Sequence, residues 1–180
     1  MPLEIRSLRA ADLDIELPRF VALLQDAVRT GAGMGFQSPL TDDEARAYWR
    51  AVRPELEAGA RLLLAAYRGD HLVGSGQLEW ASWSGGRHRA ELQKLFVDST
   101  QRGDGIGAAL MLALHDAARE HRRSLIVLNT RVGQPATLFY KRLGYREAGV
   151  IPDFVRERNG ESHGTLILYR DLAEATAVPL

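Results

Sequence analysis

A glycine-rich loop lies between an apolar run that ends at Val97 and a helical pattern that begins at Ile106. Its residues, 101–108, read Gln-Arg-Gly-Asp-Gly-Ile-Gly-Ala. Glycines let the backbone turn several N–H groups toward one point and let a ligand come close. The N-terminus of the following helix adds a partial positive charge. The pattern therefore predicts a site for a phosphate group at this loop.

Three interpretations of the loop compete. A Walker A loop is excluded, because no Lys-Ser or Lys-Thr pair follows the last glycine. Gly103, Gly105 and Ala108 have the spacing of a dinucleotide-binding fingerprint. That site needs an acidic residue at the end of the next strand, which here ends in Leu128 and Asn129. A tight turn that caps a helix and binds nothing is a further interpretation, so the residues of the loop alone leave the ligand open.

A second motif follows the loop and makes the pattern more specific. Arg102, Gly105 and Gly107 match the R/Q-x-x-G-x-G/A motif of the GNAT superfamily of N-acetyltransferases. Residues 136–145 resemble the A-x-x-x-Y-x-x-x-G-[FY] signature of the same superfamily. The chain therefore resembles a GNAT N-acetyltransferase. Similarity to the tabtoxin resistance protein branch extends over nearly the whole chain and includes residues 33–36, 39–40, 47–49 and 90–95.

The resemblance implies both a fold and a co-substrate. The fold is α/β, with a mixed sheet of about seven strands that splits in a V beside the glycine loop and carries helices on both faces. The co-substrate is acetyl-CoA, and no metal is implied. The backbone of Leu95, Phe96 and Val97 is expected to pair with the pantetheine arm. The pyrophosphate is expected on the amides of Arg102, Gly103, Asp104, Gly105, Ile106, Gly107 and Ala108.

Acetyl transfer from a thioester to an amine needs a base for the amine and an acid for the leaving thiolate. The resemblance implies that Tyr140 is the acid, since its phenol can donate to the sulfur of coenzyme A. An aromatic residue that packs its helix on the sheet is the alternative. Many family members have asparagine seven residues before this tyrosine, where this chain has Gly133. Gln134 could supply an amide to the cofactor instead.

Glu91 is the candidate base and a candidate contact of the acceptor. Strict alternation predicts that it shares a strand face with Gln93, Leu95 and Val97. An edge residue paired with an arginine is the alternative. The tabtoxin resistance branch carries an acidic residue where this chain has Asn129. Because asparagine cannot accept a proton at neutral pH, we expect Asn129 to hold a water or to orient the amine.

The acceptor is expected to be a small-molecule amine, such as an antibiotic, a toxin or a metabolite. Phe36, Trp49 and Trp80 are candidate walls of its pocket, although each residue type also occurs in a protein core. Two other functions stay open. One is acetylation of proteins or peptides, which needs an open groove, and the other is a module that binds acetyl-CoA without catalysis.

The hydrophobic periodicity predicts the elements that must position these residues. Residues 62–67, 71–80 and 89–97 predict three strands in an antiparallel meander, because short turns join them. Thr41 and Glu44 predict a capping box. Further strands are predicted at 3–8, 125–128, 145–150 and 163–169, and helices at 12–30, 41–57, 106–121 and 135–143. A mixed sheet with helices on both faces follows.

The composition suits one domain, residues 1–180. Lys plus Arg equals Asp plus Glu at 23 each, which gives no electrostatic argument for nucleic acid or an anionic membrane as a partner. The absence of cysteine excludes a thiol nucleophile and disulfides.

No apolar run reaches the roughly 18 residues of a spanning helix, so we expect a cytoplasmic protein. The histidines lack metal-ligand spacing. Association into a homodimer through a sheet edge is a further prediction.

Overall fold

The computed structural model describes residues 1–32 and 35–173, and within them the chain forms one mixed sheet of seven strands. Gly33 and Met34, which contribute to the resemblance above, lie outside the described residues. The strands are β1 (Leu3–Leu8), β2 (Arg61–Arg68), β3 (His71–Trp80), β4 (Arg89–Val97), β5 (Leu125–Arg131), β6 (Arg146–Arg156) and β7 (Ser162–Asp171). The helices are α1 (Ala10–Arg29), α2 (Asp42–Glu57), α3 (Ile106–Glu120) and α4 (Ala136–Arg142). No helix in these ranges is both long enough and apolar enough to span a membrane.

The order of strands in the sheet is β1-β2-β3-β4-β5-β7-β6. All neighbours are antiparallel except β4 and β5, which are parallel. In the described part of the chain, β4 pairs with β5 only from Arg89 to Glu91, opposite Leu125 to Val127. Beyond this point the two strands separate. The prediction of a mixed sheet that splits beside the glycine loop is therefore confirmed.

Helices cover both faces of the sheet, as predicted. On one face, Leu78, Leu92 and Leu128 pack in a buried cluster with α3 and with Tyr140 of α4. We call this the α3 face. On the other, the α1–α2 face, Leu63 and the ring of Phe96 are buried together with α1 and α2. Each face of the sheet thus has its own apolar core.

Polar side chains at the N-termini of α1 and α2 explain where these helices begin. The predicted capping box is present, since Thr41 Oγ1 accepts from the amide of Glu44 at 3.2 Å and Glu44 Oε2 accepts from the amide of Thr41 at 2.9 Å. Helix α1 begins at Ala10 rather than at Asp12, because the Asp12 carboxylate accepts from the amide of Arg9 at 2.9 Å. Short-range capping therefore extends α1 beyond the apolar pattern that predicted it.

Strand β6 is longer than predicted. It was expected to end at Val150, but it runs to Arg156, which pairs with Ser162. The register shifts between Ile151 and Val155, so the apolar pattern is interrupted there while the pairing with β7 resumes. Pairing with a neighbouring strand therefore decides the length of β6.

Candidate active site

Strand β4 contains a bulge at Lys94, beside the split of the sheet. Gln93 pairs with Gln77 and Phe96 pairs with Ser75, so β4 has an extra residue relative to β3 over this stretch. Lys94 has a φ of 49°, which lies in the left-handed region. The bulge therefore turns the strand locally just where β4 leaves β5.

The bulge corrects the predicted placement of side chains along β4. Ala90 and Leu92 are buried in the core on the α3 face, so Glu91 between them points to the α1–α2 face. Leu95 and Val97 lie beyond the bulge and pack against the core of the α3 face. The prediction that Glu91 shares its face with Leu95 and Val97 is therefore wrong, because strict alternation ends where the extra residue is inserted.

A cavity of about 310 Å³ opens between β4 and β5 where the strands separate. The predicted site residues that line it are Leu95, Asn129, Gln134 and Tyr140. Its other walls come from the α1–α2 loop, the bulge and the β6–β7 hairpin, and include Gly35, Gln93, Lys94, Arg131, Phe154 and Thr165. The volume is that of a site for a small molecule.

The glycine loop precedes α3, and polar contacts from distant elements hold it in place. Arg102 Nη2 donates to the hydroxyl of Thr30 at 2.6 Å, which ties the loop to the end of α1. Arg68 Nη1 donates to Asp104 Oδ2 at 2.8 Å, which ties it to the end of β2. Gly105 is the N-cap residue of α3 and has a φ of 78°, which favours glycine. The charged side chains of the loop are therefore engaged with the protein.

The residues of the loop fit a diphosphate group. No side chain of the described residues caps the first turn of α3. A Cβ atom on Gly103 or Gly105 would meet no atom within 4 Å, so the space in front of both residues is open. Gly107 instead faces inward, with its Cβ position 3.5 Å from the ring of Phe139. Amides at a helix N-terminus in an open cradle attract an anion, as the pyrophosphate of coenzyme A requires.

Tyr140 both packs α4 on the sheet and faces the cavity. It is 9% exposed and lines the cavity. Its ring meets the rings of Phe139 and Tyr145 edge-on, with centroids 5.3 Å and 5.7 Å away. Burial raises the pKa of the Tyr140 phenol, so the group keeps its proton at neutral pH. A protonated phenol at this position can act as an acid.

A buried polar network lies behind Tyr140. His115 Nε2 lies 3.0 Å from Tyr145 Oη, and His115 Nδ1 lies 3.3 Å from Arg170 Nη1. Because a guanidinium only donates, Nδ1 accepts and Nε2 carries the proton. Burial, and then the charges of nearby arginines, lower the pKa of His115 to about 4. Arg170 also donates to the carbonyl of Leu143, so the network holds the C-terminal end of the helix that carries Tyr140.

Glu91 and Asn129 project from the same face of neighbouring strands. Glu91 lies opposite Val127, and Asn129 follows Val127 with one residue between them, so both point to the α1–α2 face at the split. Gln93 Nε2 donates to Glu91 Oε1 at 3.0 Å. Gln93 and Asn129 both line the cavity. The structure therefore brings a carboxylate and an amide to one side of the split.

The two tryptophans that were candidate walls of the acceptor pocket lie elsewhere. Trp49 is 0% exposed and packs edge-on against Phe20, whose carbonyl accepts its indole N–H at 3.1 Å. Trp80 is buried on the α3 face and stacks on His121, whereas Glu91 points to the opposite face. The prediction that Trp49 and Trp80 contact the acceptor is therefore corrected, since large apolar rings in these positions fill the two cores.

Lys94 is a cavity residue that the sequence patterns did not single out. Its Nζ lies 4.7 Å from the ring centroid of Phe36 and 5.5 Å from that of Tyr48. Burial, and then the charge of Arg61, lower the pKa of Lys94 to about 8. The sequence does contain a signal for a role of Lys94, since it is the one charged residue between Leu92 and Val97. The ring of Phe36 contacts both Lys94 and the ring of Tyr48. That Phe36 also contacts the acceptor stays a prediction.

A second depression of about 760 Å³ lies between α1 and the β2–β3 turn. It is lined by Arg19, Asp26, Arg68 and Gln101, among others, but by none of the predicted catalytic residues. We therefore assign the chemistry to the smaller cavity. Within residues 1–32 and 35–173, no group of three or more His, Asp or Glu side chains could hold a metal ion.

Comparison with known proteins identifies the family of this chain. Residues 22–145 match the acetyltransferase (GNAT) family. The chain is 28% identical over 154 residues to the L-methionine sulfoximine/L-methionine sulfone acetyltransferase of Pseudomonas aeruginosa, covering 84% of this chain and 85% of that protein. It is 36% identical over 78 residues to an uncharacterised N-acetyltransferase of Methanocaldococcus jannaschii, covering 43% of this chain and 34% of that protein. The structure of yncA from Salmonella typhimurium with its cofactor acetyl-CoA has a TM-score of 0.75 at 20% identity, covering 98% of both chains.

A seven-stranded mixed sheet that splits beside a glycine-rich loop is the fold that this chain shares with acetyltransferases of known structure. Because the family match extends over most of the chain, this chain belongs to the GNAT acetyltransferase family. It is an N-acetyltransferase, as its relatives are. The predictions of the family, the fold class and the enzyme class are thus confirmed.

Proposed function

We propose that this protein transfers the acetyl group of acetyl-CoA to the amine of a small molecule, by direct attack of the amine on the thioester. The observation that carries the proposal is the cavity of about 310 Å³ at the split, bordered by Asn129 and Tyr140. Its size supports a small acceptor. The relative from Pseudomonas aeruginosa, whose name gives L-methionine sulfoximine and L-methionine sulfone as its substrates, supports the same class of acceptor.

The donor is held by backbone groups. The amides of residues 102–108 bind the diphosphate, because their glycines leave the space in front of them open. Among the described residues, the β4 edge that faces β5 has no strand partner beyond Glu91, so the backbone from Leu95 to Val97 can pair with the pantetheine arm. Gln134 lines the same cavity and can donate an amide hydrogen bond to the cofactor. Acetyl-CoA supplies an already activated acyl group.

Glu91 and Tyr140 carry the two proton transfers. The Glu91 carboxylate accepts a proton from the acceptor ammonium, directly or through a water held by Asn129. The neutral amine then forms its N–C bond to the acetyl carbonyl as the C–S bond breaks. The second proton of the nitrogen, like the proton held by Glu91, is released to solvent. Tyr140 donates its phenolic proton to the departing thiolate and regains one from solvent. The steps leave an amide, a thiol and one released proton, and they need no metal.

A screen of acceptors with acetyl-CoA, followed by release of the thiol, tests this proposal. Small amines and a panel of peptides are compared at equal concentration, and coenzyme A binding is measured in parallel by calorimetry. We expect turnover with small amines. Turnover with peptides alone would overturn the choice of acceptor, and coenzyme A binding without turnover on any acceptor would favour the non-catalytic alternative.

Two further predictions concern the cell and the assembly. We expect the enzyme in the cytoplasm, where its donor is available. We also expect a homodimer through the edge strand β6, which exposes Val150, Ile151 and Phe154. Because Phe154 also lines the cavity, a second copy there would lie beside the acceptor. Light scattering after gel filtration measures the assembly, and a monomer at micromolar concentration would contradict it.

A further inference from the structure

The bulge in β4 brings two opposite charges to one face of the sheet. In a regular strand, residues separated by an odd number of positions point to opposite faces, so Glu91 and Lys94 would be divided by the sheet. The extra residue at Lys94 shifts the alternation of side chains, so Glu91 and Lys94 lie on the same face. Glu91 points to the α1–α2 face, and Lys94 reaches Phe36 and Tyr48, which pack against the core of that face.

Lys94 is positioned by its surroundings to face the cavity. Its ammonium lies against the ring of Phe36 and near that of Tyr48, and cation–π attraction holds it there. The hydroxyl of Tyr48 donates to Gln77 Oε1 at 3.1 Å, and Arg61 Nη1 donates to the same oxygen at 2.9 Å. The aromatic support of Lys94 is thus anchored to the sheet, and Lys94 itself lines the cavity with Asn129 and Tyr140.

The other charged groups near Lys94 and Glu91 form ion pairs. Glu55 and Glu79 pair with Arg61 at 2.5 Å and 2.9 Å, and both carboxylate side chains are exposed. Glu91 accepts from Gln93, which lines the cavity beside Lys94. Arg131 and Glu157 also line the cavity, where they pair with each other at 3.6 Å. The bulged stretch thus has the carboxylate of Glu91 before it and the ammonium of Lys94 in the cavity wall. A ligand with the reverse arrangement of charges would complement both.

We propose that Lys94 binds the carboxylate of an acceptor whose amine lies at Glu91, and that it thereby selects amino acids over simple amines. This inference rests on the proposed function and names the acceptor class for the same site. Burial and the charge of Arg61 both disfavour the Lys94 ammonium, and an acceptor carboxylate offsets both effects. Binding the carboxylate at one fixed point also holds the amine at a fixed distance from the thioester.

Matched acceptor pairs test the selectivity of the wild-type enzyme. Each pair is an amino acid and the same molecule without its carboxylate: L-methionine sulfone with 3-(methylsulfonyl)propylamine, L-phenylalanine with phenethylamine, and γ-aminobutyrate with propylamine. Thiol release gives kcat and KM for each member. We expect kcat/KM for the amino acid to exceed that of its partner by about 10- to 100-fold, as a charge-assisted hydrogen bond provides.

Substitutions at Lys94 test whether this residue causes the preference for acceptors with a carboxylate. Lys94→Gln should raise KM for the amino acids by about 10- to 100-fold, with kcat changed by less than about threefold and the simple amines unaffected. Lys94→Arg keeps the charge and should recover part of the selectivity. Lys141→Gln makes the same charge change at an exposed lysine that pairs with Glu147, and it should leave all values unchanged. Coenzyme A binding and thermal melting confirm that each variant is folded.

The outcomes separate this inference from the proposed function. If the wild type acetylates simple amines as well as amino acids, or if Lys94→Gln lowers kcat equally for both members of a pair, Lys94 does not select a carboxylate. The second result would instead make Lys94 a catalytic base. Either outcome keeps the enzyme an acetyltransferase of small amines. Turnover with peptides and with no member of any pair would overturn both proposals together.

Discussion

The side-chain amide of Gln93 donates a hydrogen bond of 3.0 Å to Oε1 of Glu91. The two residues lie on the same face of β4, immediately before the bulge at Lys94, and Gln93 borders the cavity. A carboxylate that accepts a neutral amide bond on one oxygen keeps its other oxygen for a further partner. The contact therefore orients the carboxylate of Glu91 without neutralising it, as the proposed role of a base requires.

Replacing Glu91 with glutamine should remove the base while keeping the shape of the side chain. We expect kcat/KM to fall by about 10²- to 10⁴-fold at neutral pH, since an amide cannot accept the proton of the ammonium. The affinity for acetyl-CoA should not change, because the proposed diphosphate site is the glycine loop, which does not include Glu91. Steady-state thiol release and calorimetry measure the two quantities.

Glu79→Gln is the matched control for this variant. Glu79 lies directly opposite Glu91 on β3 and points to the same face, but it pairs with Arg61. Its loss should change turnover by less than about threefold, as expected for a partly exposed ion pair. Similar losses in Glu79→Gln and Glu91→Gln would show that charge on this face, rather than a base at Glu91, controls the rate.

Removing the hydroxyl of Tyr140 should slow the chemical step with little effect on the fold. Tyr140→Phe keeps the edge-on contacts with Phe139 and Tyr145, so we expect only a small change in Tm. The leaving thiolate loses its proton donor, and kcat should fall by about 10²- to 10⁴-fold. Tyr145→Phe, which removes a buried phenol bonded to His115, should keep most of the activity. Wild-type turnover in Tyr140→Phe would reject Tyr140 as the acid.

A methyl group at Gly105 should weaken the binding of coenzyme A. Gly105 has a φ of 78° and an open space in front of it, so Gly105→Ala both strains the loop and intrudes on the diphosphate. We expect calorimetry to show a Kd raised at least about tenfold. Gly160→Ala is the control, because Gly160 has a φ of 87° and equally open space but lies in the β6–β7 turn. Both variants should lose about 1–2 kcal/mol of stability, yet the control should bind normally.

Acid should destabilise the fold through His115. The pKa of His115 is about 4 in the folded protein and 6.5 for an exposed histidine, so below pH 6.5 the unfolded chain binds a proton that the folded protein does not. The free energy of unfolding should therefore fall as the pH decreases from 6.5 to 4, by up to about 3 kcal/mol from this group. Urea unfolding across that range measures the slope.

His115→Gln isolates this contribution from that of the carboxyl groups. The variant should be less stable at pH 7, because it disturbs the contacts with Tyr145 and Arg170. Its stability should nevertheless depend less steeply on pH than that of the wild type. His121→Gln, at an exposed position, should keep the wild-type slope. Parallel slopes for His115→Gln and the wild type would contradict a buried neutral histidine.

Much of the candidate site could be predicted from residues that are close together in the sequence. The glycine loop, the capping box at Thr41 and the tyrosine signature around Tyr140 each depend on contacts within one turn or one loop. Side chains that act across strands were predicted less well. Lys94 was not singled out, and Trp49 was assigned to the pocket although it fills the core between α1 and α2. Apolar aromatic rings have no local pattern that separates a core from a cavity wall.

The sequence by itself determined the family, the order of helices and strands, and the loop that can hold a diphosphate, because backbone propensity and glycine placement act over a few residues. Tertiary structure alone decided which side chains meet. The extra residue at Lys94 is defined only by pairing of β4 with β3, and the approach of Glu91 to Asn129 only by pairing of β4 with β5. Strand register depends on partners distant in the chain, and a shift of one residue moves a side chain to the other face of the sheet.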